Sequence, residues 1–132
     1  MIIVDASVVI NLLRGRTTAA TKRFIQIERE DTPFHIPAIC CQEILQGARN
    51  EHDWEFLYNN ISTQRILEPE DPFQTHIGAA RIFFECRRKG MTIRSAADCI
   101  VAQLALENDA DLLHDDEDFN RIARIRPLRV IK

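Results

Sequence analysis

The chain has 132 residues, 17 Lys plus Arg against 20 Asp plus Glu, a formal net charge of −3 and a hydrophobic fraction of 45%. That length predicts a single domain, residues 1–132, able to bury roughly two-thirds of its unfolded surface without disulfide or metal staples. The composition excludes a disordered tail, a collagen-like chain and a linker; the net charge excludes a surface that is basic throughout, but not a local basic groove.

Met1–Val4 is a short β-branched apolar run and predicts a buried strand. Ala6–Leu13 fits a helix ended by Gly15, and Thr18–Glu30 a second, more polar one. Phe34–Ile36 is a short strand candidate before Pro37. From Ala38 the spacing Cys41, Ile44, Leu45, Ala48 marks a helix face. Thr63–Leu67 is expected to be a central strand. Phe73–Lys89 is a long helix with Ile77, Ala80 and Phe84 as its expected buried face and Gly90 as its end. Ser95–Asn108 is another, buried through Ala97, Ile100, Val101, Leu104 and Ala105. Leu112–Leu113 is a strand, Phe119–Arg124 a short helix and Leu128–Ile131 a last strand. Strands alternating with amphipathic helices predict an α/β domain with a mostly parallel sheet, whose ligands gather beyond the carboxyl ends of the strands.

No run reaches the ~18 apolar residues of a membrane helix. The segment MIIVDASVVI lacks a basic leader and is broken by Asp5, so it is not expected to be a signal peptide. Cys40, Cys41, Cys86 and Cys99 form no CxxC pair and predict reduced thiols in a cytoplasmic protein. His35, His52, His76 and His114 stand apart without zinc spacing.

The candidate chemistry lies in acids placed where acids are costly. Asp5 follows Ile2-Ile3-Val4 directly, as a helix cap or as a site residue. Glu43 interrupts an apolar helical segment, and Gly47 is expected one turn on within the same helix, where a glycine costs about 1 kcal/mol unless something must approach closely. Asp98 sits in Ser95-x-x-Asp98, which is also a capping-box pattern. Asp115, Asp116, Glu117 and Asp118 crowd one turn after a strand, as a solvated loop or as ligands. In a parallel sheet all of these fall on one edge. Oxygen donors converging without cations suit Mg²⁺ or Mn²⁺, which activate water and neutralise a phosphodiester.

Taken in order, Asp5-Ala6-Ser7, Leu12-Leu13-Arg14-Gly15, Glu43 with Gly47, Asp98-Cys-Ile-Val-Ala and Asp116-Glu117-Asp118-Phe119 resemble the PIN-domain ribonucleases, and in spacing and length the VapC toxins of toxin–antitoxin pairs. The resemblance implies a three-layer α/β/α domain. It implies that Asp5, Glu43, Asp98 and Asp116 are catalytic and hold one or two Mg²⁺ or Mn²⁺ ions, with Asp118 a further metal-binding acid. Ser7 matches a position that helps hold metal-bound water, and Asn11 lies one turn beyond it. Asp116 is taken over Asp115 because Asp116 and Asp118 complete Asp-x-Asp-Phe. The activity implied is endonucleolytic cleavage of structured RNA, transfer or ribosomal, by metal-activated water. The partners implied are a small VapB-like antitoxin and a second copy in a homodimer.

An acidic pocket repels RNA, so flanking cations are needed. Arg87, Arg88 and Arg94 bracket Asp98, and Arg121 follows the acidic turn; these are the expected phosphate contacts. Trp54, Phe56, Leu57 and Tyr58 are expected in the core, with a dimer or antitoxin contact as the alternative. Two other functions compete. A Mg²⁺ phosphohydrolase of haloacid-dehalogenase type would need an acid where Ser7 stands. A non-catalytic binding module with an acidic metal pocket, of the receiver type, would need a suitably placed lysine. No GxGxxG follows Met1–Val4, which disfavours dinucleotide binding.

Overall fold

A computed structural model describes residues 1–131; Lys132, the last residue of the expected domain, lies outside them. In chain order the elements are β1 (Ile2–Val4), α1 (Ala6–Leu13), α2 (Ala19–Arg29), β2 (Ile36–Pro37), α3 (Ala38–Leu45), α4 (Glu51–Ile61), β3 (Ile66–Leu67), α5 (Pro72–Arg88), α6 (Ala96–Glu107), β4 (Asp111–Leu113), α7 (Glu117–Ile122) and β5 (Arg129–Val130). All the strand pairings are parallel: β1 with β4, β4 with β5, and β2 with β3. His35 joins the two groups by bridging Ile3, its N–H donating to Ile2 O at 2.9 Å and its carbonyl accepting from Val4 N at 3.0 Å. The spatial order is therefore β3-β2-β1-β4-β5, with β1 in the middle and β3 at an edge. The expected central strand Thr63–Leu67 is thus a two-residue edge strand.

Both faces of this sheet are covered, which is why its strands are apolar runs rather than alternating ones. Ile3 and Leu112, paired neighbours on β1 and β4, point into a larger core shared with α3, α5, α6 and α7. Val4 and Leu113, the next pair, point to the opposite side and pack with Val8, Ala20, Phe24 and Ile27 from α1 and α2. Period-two alternation along three-residue strands produces the three layers.

The helix ends follow local chemistry. Asp5, Thr18, Asn50, Asp71 and Asp116 cap α1, α2, α4, α5 and α7 through their side chains. Gly15 and Gly90, at φ +72 and +75, close α1 and α5 in the left-handed conformation that glycine adopts without strain. The Ser95 capping box is not formed: Ser95 starts α6 without a side-chain cap bond, so Asp98 is not used up as its partner.

Three expectations need correction. Gly47 is not inside a helix; α3 ends at Leu45 and Gly47 is exposed beyond it, so it bears no helix-interior cost. The buried face of α5 is Thr75, Ala79, Ile82 and Cys86, the side opposite the expected one; Ile77 and Phe84 are 51% and 38% exposed. The segment around Trp54 is a helix, α4, and Trp54, Phe56 and Tyr58 are exposed rather than core; only Leu57 and Ile61 pack inward. Among the described residues no helix is long and apolar enough to cross a membrane.

Candidate metal centre

Chain order runs β1 to β2 on one side of the sheet, and β4 lies on the other side of β1. The crevice between the carboxyl ends of β1 and β4 is therefore the topological switch point, where open α/β sheets bind ligands. Asp5 leaves β1 there, and His114, Asp115 and Asp116 leave β4. The first turn of α6 brings Asp98 to the same place, α3 brings Glu43 and α7 brings Asp118.

Asp98, Asp116 and Asp118 each offer an oxygen, and these atoms lie within 4.8 Å of one another. Asp98 is 3% exposed and its Oδ2 has no hydrogen-bond partner. Burial, then the charges of Asp116 and Asp5, push its pKa up to about 9. Glu43 behaves alike: its buried Oε1 is unpartnered, and burial followed by Asp5 and Asp116 raises it to about 7. Burial and the neighbouring carboxylates thus favour the protonated forms of Asp98 and Glu43.

The other acids have donors. Asp5 Oδ2 accepts from Ser7 N at 3.0 Å and Ser7 Oγ at 2.6 Å, and Oδ1 accepts from the Cys40 thiol at 3.4 Å. Asp5 is thus the side-chain cap of α1, and its carboxylate lies beside the cluster. Asp118 accepts from Arg121 Nη1 at 2.8 Å and from the Arg94 main-chain N–H at 2.9 Å. Asp116 Oδ1 takes the Asp118 N–H at 2.9 Å, leaving its other oxygen for the cluster.

Asp115 is set apart. Its Oδ2 accepts from Asn11 Nδ2 at 3.0 Å and Thr18 Oγ1 at 2.7 Å, and its N–H donates to Ser7 Oγ at 2.9 Å. It ties α1 and the start of α2 to the β4–α7 turn. Asp116, not Asp115, is the one whose oxygen clusters with those of Asp98 and Asp118, and Asn11 and Ser7 both bond to Asp115. Thr18 and His114 were missed by sequence reasoning. Thr18 carried a signal, its capping box with Thr21; His114 carried none beyond its place after a strand.

The arginines divide. Arg121 is engaged with Asp118 and is a local counter-ion, not a free phosphate contact. Arg94 has its main chain in the site and its side chain exposed. Arg87 and Arg88 are exposed over the rings of Phe83 and Phe84.

The donor set is all oxygen. Its partnerless buried atoms on Asp98 and Glu43 fit a hard divalent cation better than a thiophilic one. Residues 2–125 match the family model of the PIN domain. The chain is a VapC-type member of the PIN-domain family. It is 31% identical over 132 residues to the VapC ribonuclease Mb1587 of Mycobacterium bovis and to ribonuclease VapC11 of Mycobacterium tuberculosis, in each case spanning 98% of this chain and 96% of the relative. This PIN domain also superposes on VapBC-1 from nontypeable Haemophilus influenzae at TM-score 0.73 and 21% identity, covering 100% of this chain and 98% of that one. A VapBC2 structure from Rickettsia felis, bound to a DNA fragment from its promoter, gives TM-score 0.74 at 14% identity, covering 99% and 98%. At those identities the structural likeness speaks for the fold.

Proposed function

We propose that this PIN domain is a Mg²⁺- or Mn²⁺-dependent endoribonuclease toxin acting on structured transfer or ribosomal RNA. The observation that carries it is the pair of buried, partnerless carboxylate oxygens, Asp98 Oδ2 and Glu43 Oε1, beside Asp5 and Asp116 at the sheet's switch point. We assign one or two cations to Asp5, Glu43, Asp98 and Asp116, with Asp118, whose carboxylate Arg121 also holds, as a further ligand. A cation bound there would acidify a water and neutralise charge that builds on the phosphodiester in the transition state. Asp98 and Glu43 give up their protons to make the site competent. Ser7 fixes the rotamer of Asp5 through two hydrogen bonds, and Asp115 fixes Ser7. The names of the relatives, VapC ribonucleases, support the RNA substrate.

The test is purified, partner-free protein incubated with total RNA in Mg²⁺, Mn²⁺ or EDTA, beside Asp98→Asn. Discrete cuts that need both metal and Asp98 are expected. Hydrolysis of a small phosphate ester with intact RNA would favour the phosphohydrolase, and metal binding without hydrolysis the binding module.

Three partner assignments follow. Arg88 and Arg94, which make no salt bridge among the described residues, are assigned to RNA phosphate. The antitoxin is assigned to a cleft of about 680 Å³ that runs from Glu43 past Ile10 and Leu13 to Phe56 and Leu57. The second copy is assigned to the outer face of α5, not to α4. Phe73, Ile77, Ala80 and Phe84 there fall within about 60° of one another at 100° per residue, and all four are exposed. Antiparallel pairing about their midpoint sets Phe73 against Phe84 of the other copy and Ile77 against Ala80. Arg87, three residues beyond Phe84 and exposed, is assigned to the rim of that face rather than to RNA. Light scattering should show a dimer that Ile77→Arg dissociates. The free, buried state of all four cysteines suits the cytoplasm assigned to the protein.

A further inference from the structure

His114 belongs to the acidic turn by position but not by chemistry. Its Nδ1 accepts a hydrogen bond from the main-chain N–H of Asp116 at 3.1 Å. An accepting Nδ1 has no proton, so the ring is the neutral tautomer with hydrogen on Nε2. That Nε2 is buried without a partner. The ring cannot turn freely, because it lies against Phe119, with centroids 4.9 Å apart and planes at 45°, and Phe119 is fully buried.

The bond has a direction of consequence. Asp116 is the cap of α7, and its Oδ1 in turn accepts the N–H of Asp118. Asp118 meets the Arg94 main chain and Arg121. Each of the first two links spans two residues, the geometry of an Asx-turn in which a side-chain acceptor substitutes for a carbonyl. The imidazole is the first member of this chain, anchored on one side by packing and on the other by the backbone of a carboxylate that faces Asp98 and Glu43.

The geometry points to His114 as a positioning residue: its neutral imidazole holds the Asp116 backbone, and through it the Asp116 carboxylate, in the orientation that binds the cation. This rests on the metal-centre reading above. His114 does not transfer a proton and does not bind metal; Nδ1 is already occupied by the Asp116 N–H. Among residue types, any side chain with an acceptor two bonds from Cβ or nearer would serve at this place, and an apolar one of similar volume would not.

The test compares His114→Asn, His114→Leu and Asp116→Asn with the wild type. Asparagine supplies an Oδ1 acceptor for the Asp116 N–H; leucine fills the space against Phe119 without one. Two quantities are measured: Mn²⁺ affinity by calorimetry, and hydrogen exchange of the Asp116 amide in the metal-free protein. His114→Leu should weaken Mn²⁺ binding about 10- to 100-fold, as loss of a group that orients a ligand does, and should speed exchange at Asp116. His114→Asn should stay within about threefold of wild type on the same scale. Wild-type affinity in His114→Leu, with affinity lost in Asp116→Asn, would overturn the role given to His114 alone. So would a His114→Asn protein no better than His114→Leu when both melt cooperatively. Wild-type affinity in Asp116→Asn would instead overturn the metal-centre reading beneath it.

Discussion

Replacing Asp98 by Asn should stabilise the metal-free protein and remove its response to metal. Asp98 is buried beside Asp116 and Asp5, and burial first, then those charges, raises its pKa to about 9. In the unfolded chain an aspartate titrates near ~3.9. Between these values the folded state keeps a proton that the unfolded state has lost. Stability is therefore full below about pH 4 and is lost as pH rises through about 9. One proton gives at most ~1.4 kcal/mol per pH unit. Halving that slope for relaxation around the cluster gives ~2 kcal/mol between pH 5 and pH 8. With an unfolding entropy of ~2.1 cal/mol/K per residue, that is a fall in Tm of about 7 °C. Asn at this position stays neutral, so the variant should melt above the wild type at pH 8 in EDTA, by about 7 °C on the same scale. Mn²⁺ at 100 times its Kd should return about 2.7 kcal/mol to the wild type and little to the variant, which reverses the order. Circular dichroism melts at pH 5, 6.5 and 8, with EDTA and with Mn²⁺, read all of this. A variant that melts below the wild type in EDTA at pH 8, or a wild type that is flat across this range, would refute the reasoning.

Metal uptake should release protons, because Glu43 and Asp98 are both raised and must ionise to bind; calorimetry in buffers of different ionisation enthalpy counts them, and affinity should climb from pH 6 to pH 9. Arg121→Ala leaves the Asp118 carboxylate, 1% exposed, without its cation and should cost about 2 kcal/mol, seen as a Tm lowered by ~7 °C. Asp115→Ala frees Asn11 and Thr18 and should also cost about 2 kcal/mol, yet leave the number of bound Mn²⁺ ions unchanged, since Asp115 braces α1 and α2 rather than lining the cluster.

Much of the fold was legible because each element carries its own signal. Ile2-Ile3-Val4 and Leu112-Leu113 are apolar runs of the kind a doubly covered parallel sheet requires, and Gly15 and Gly90 end helices where the periodicity stops. The misassigned face of α5 has a physical source. The helix has two apolar stripes, and periodicity does not say which one another helix covers. The inner stripe is built of smaller residues, Thr75 and Ala79 beside Gly78, and these let α6 approach closely. A Cβ on Gly78 would lie 2.4 Å from Gln103 Cδ, and the Thr75 hydroxyl bonds both oxygens of Glu107. The larger Phe73, Ile77 and Phe84 would hold α6 away, so they are left outside. Helix α4 was missed although Trp54, Leu57, Tyr58 and Ile61 stand at i, i+3, i+4 and i+7; of these only Leu57 and Ile61 pack inward, and Trp54 and Tyr58 stay exposed.

The site was legible as a set of acids and not as a division of labour. Six carboxylates, Asp5, Glu43, Asp98, Asp115, Asp116 and Asp118, come to one sheet edge, and nothing in their residue types separates them. What separates them is which donors reach each one. Asp115 is taken by Asn11 of α1 and by Thr18, the cap of α2, 104 and 97 residues away in sequence. Asp118 is taken by Arg121 and the Arg94 main chain, and Asp5 by Ser7. Asp98 and Glu43 face the cluster with a buried oxygen that nothing reaches. A buried carboxylate oxygen without a donor is costly in a protein with no use for it. That cost is borne at the two positions where a cation would remove it, and so the missing hydrogen bonds argue for the proposed centre more sharply than the count of acids does.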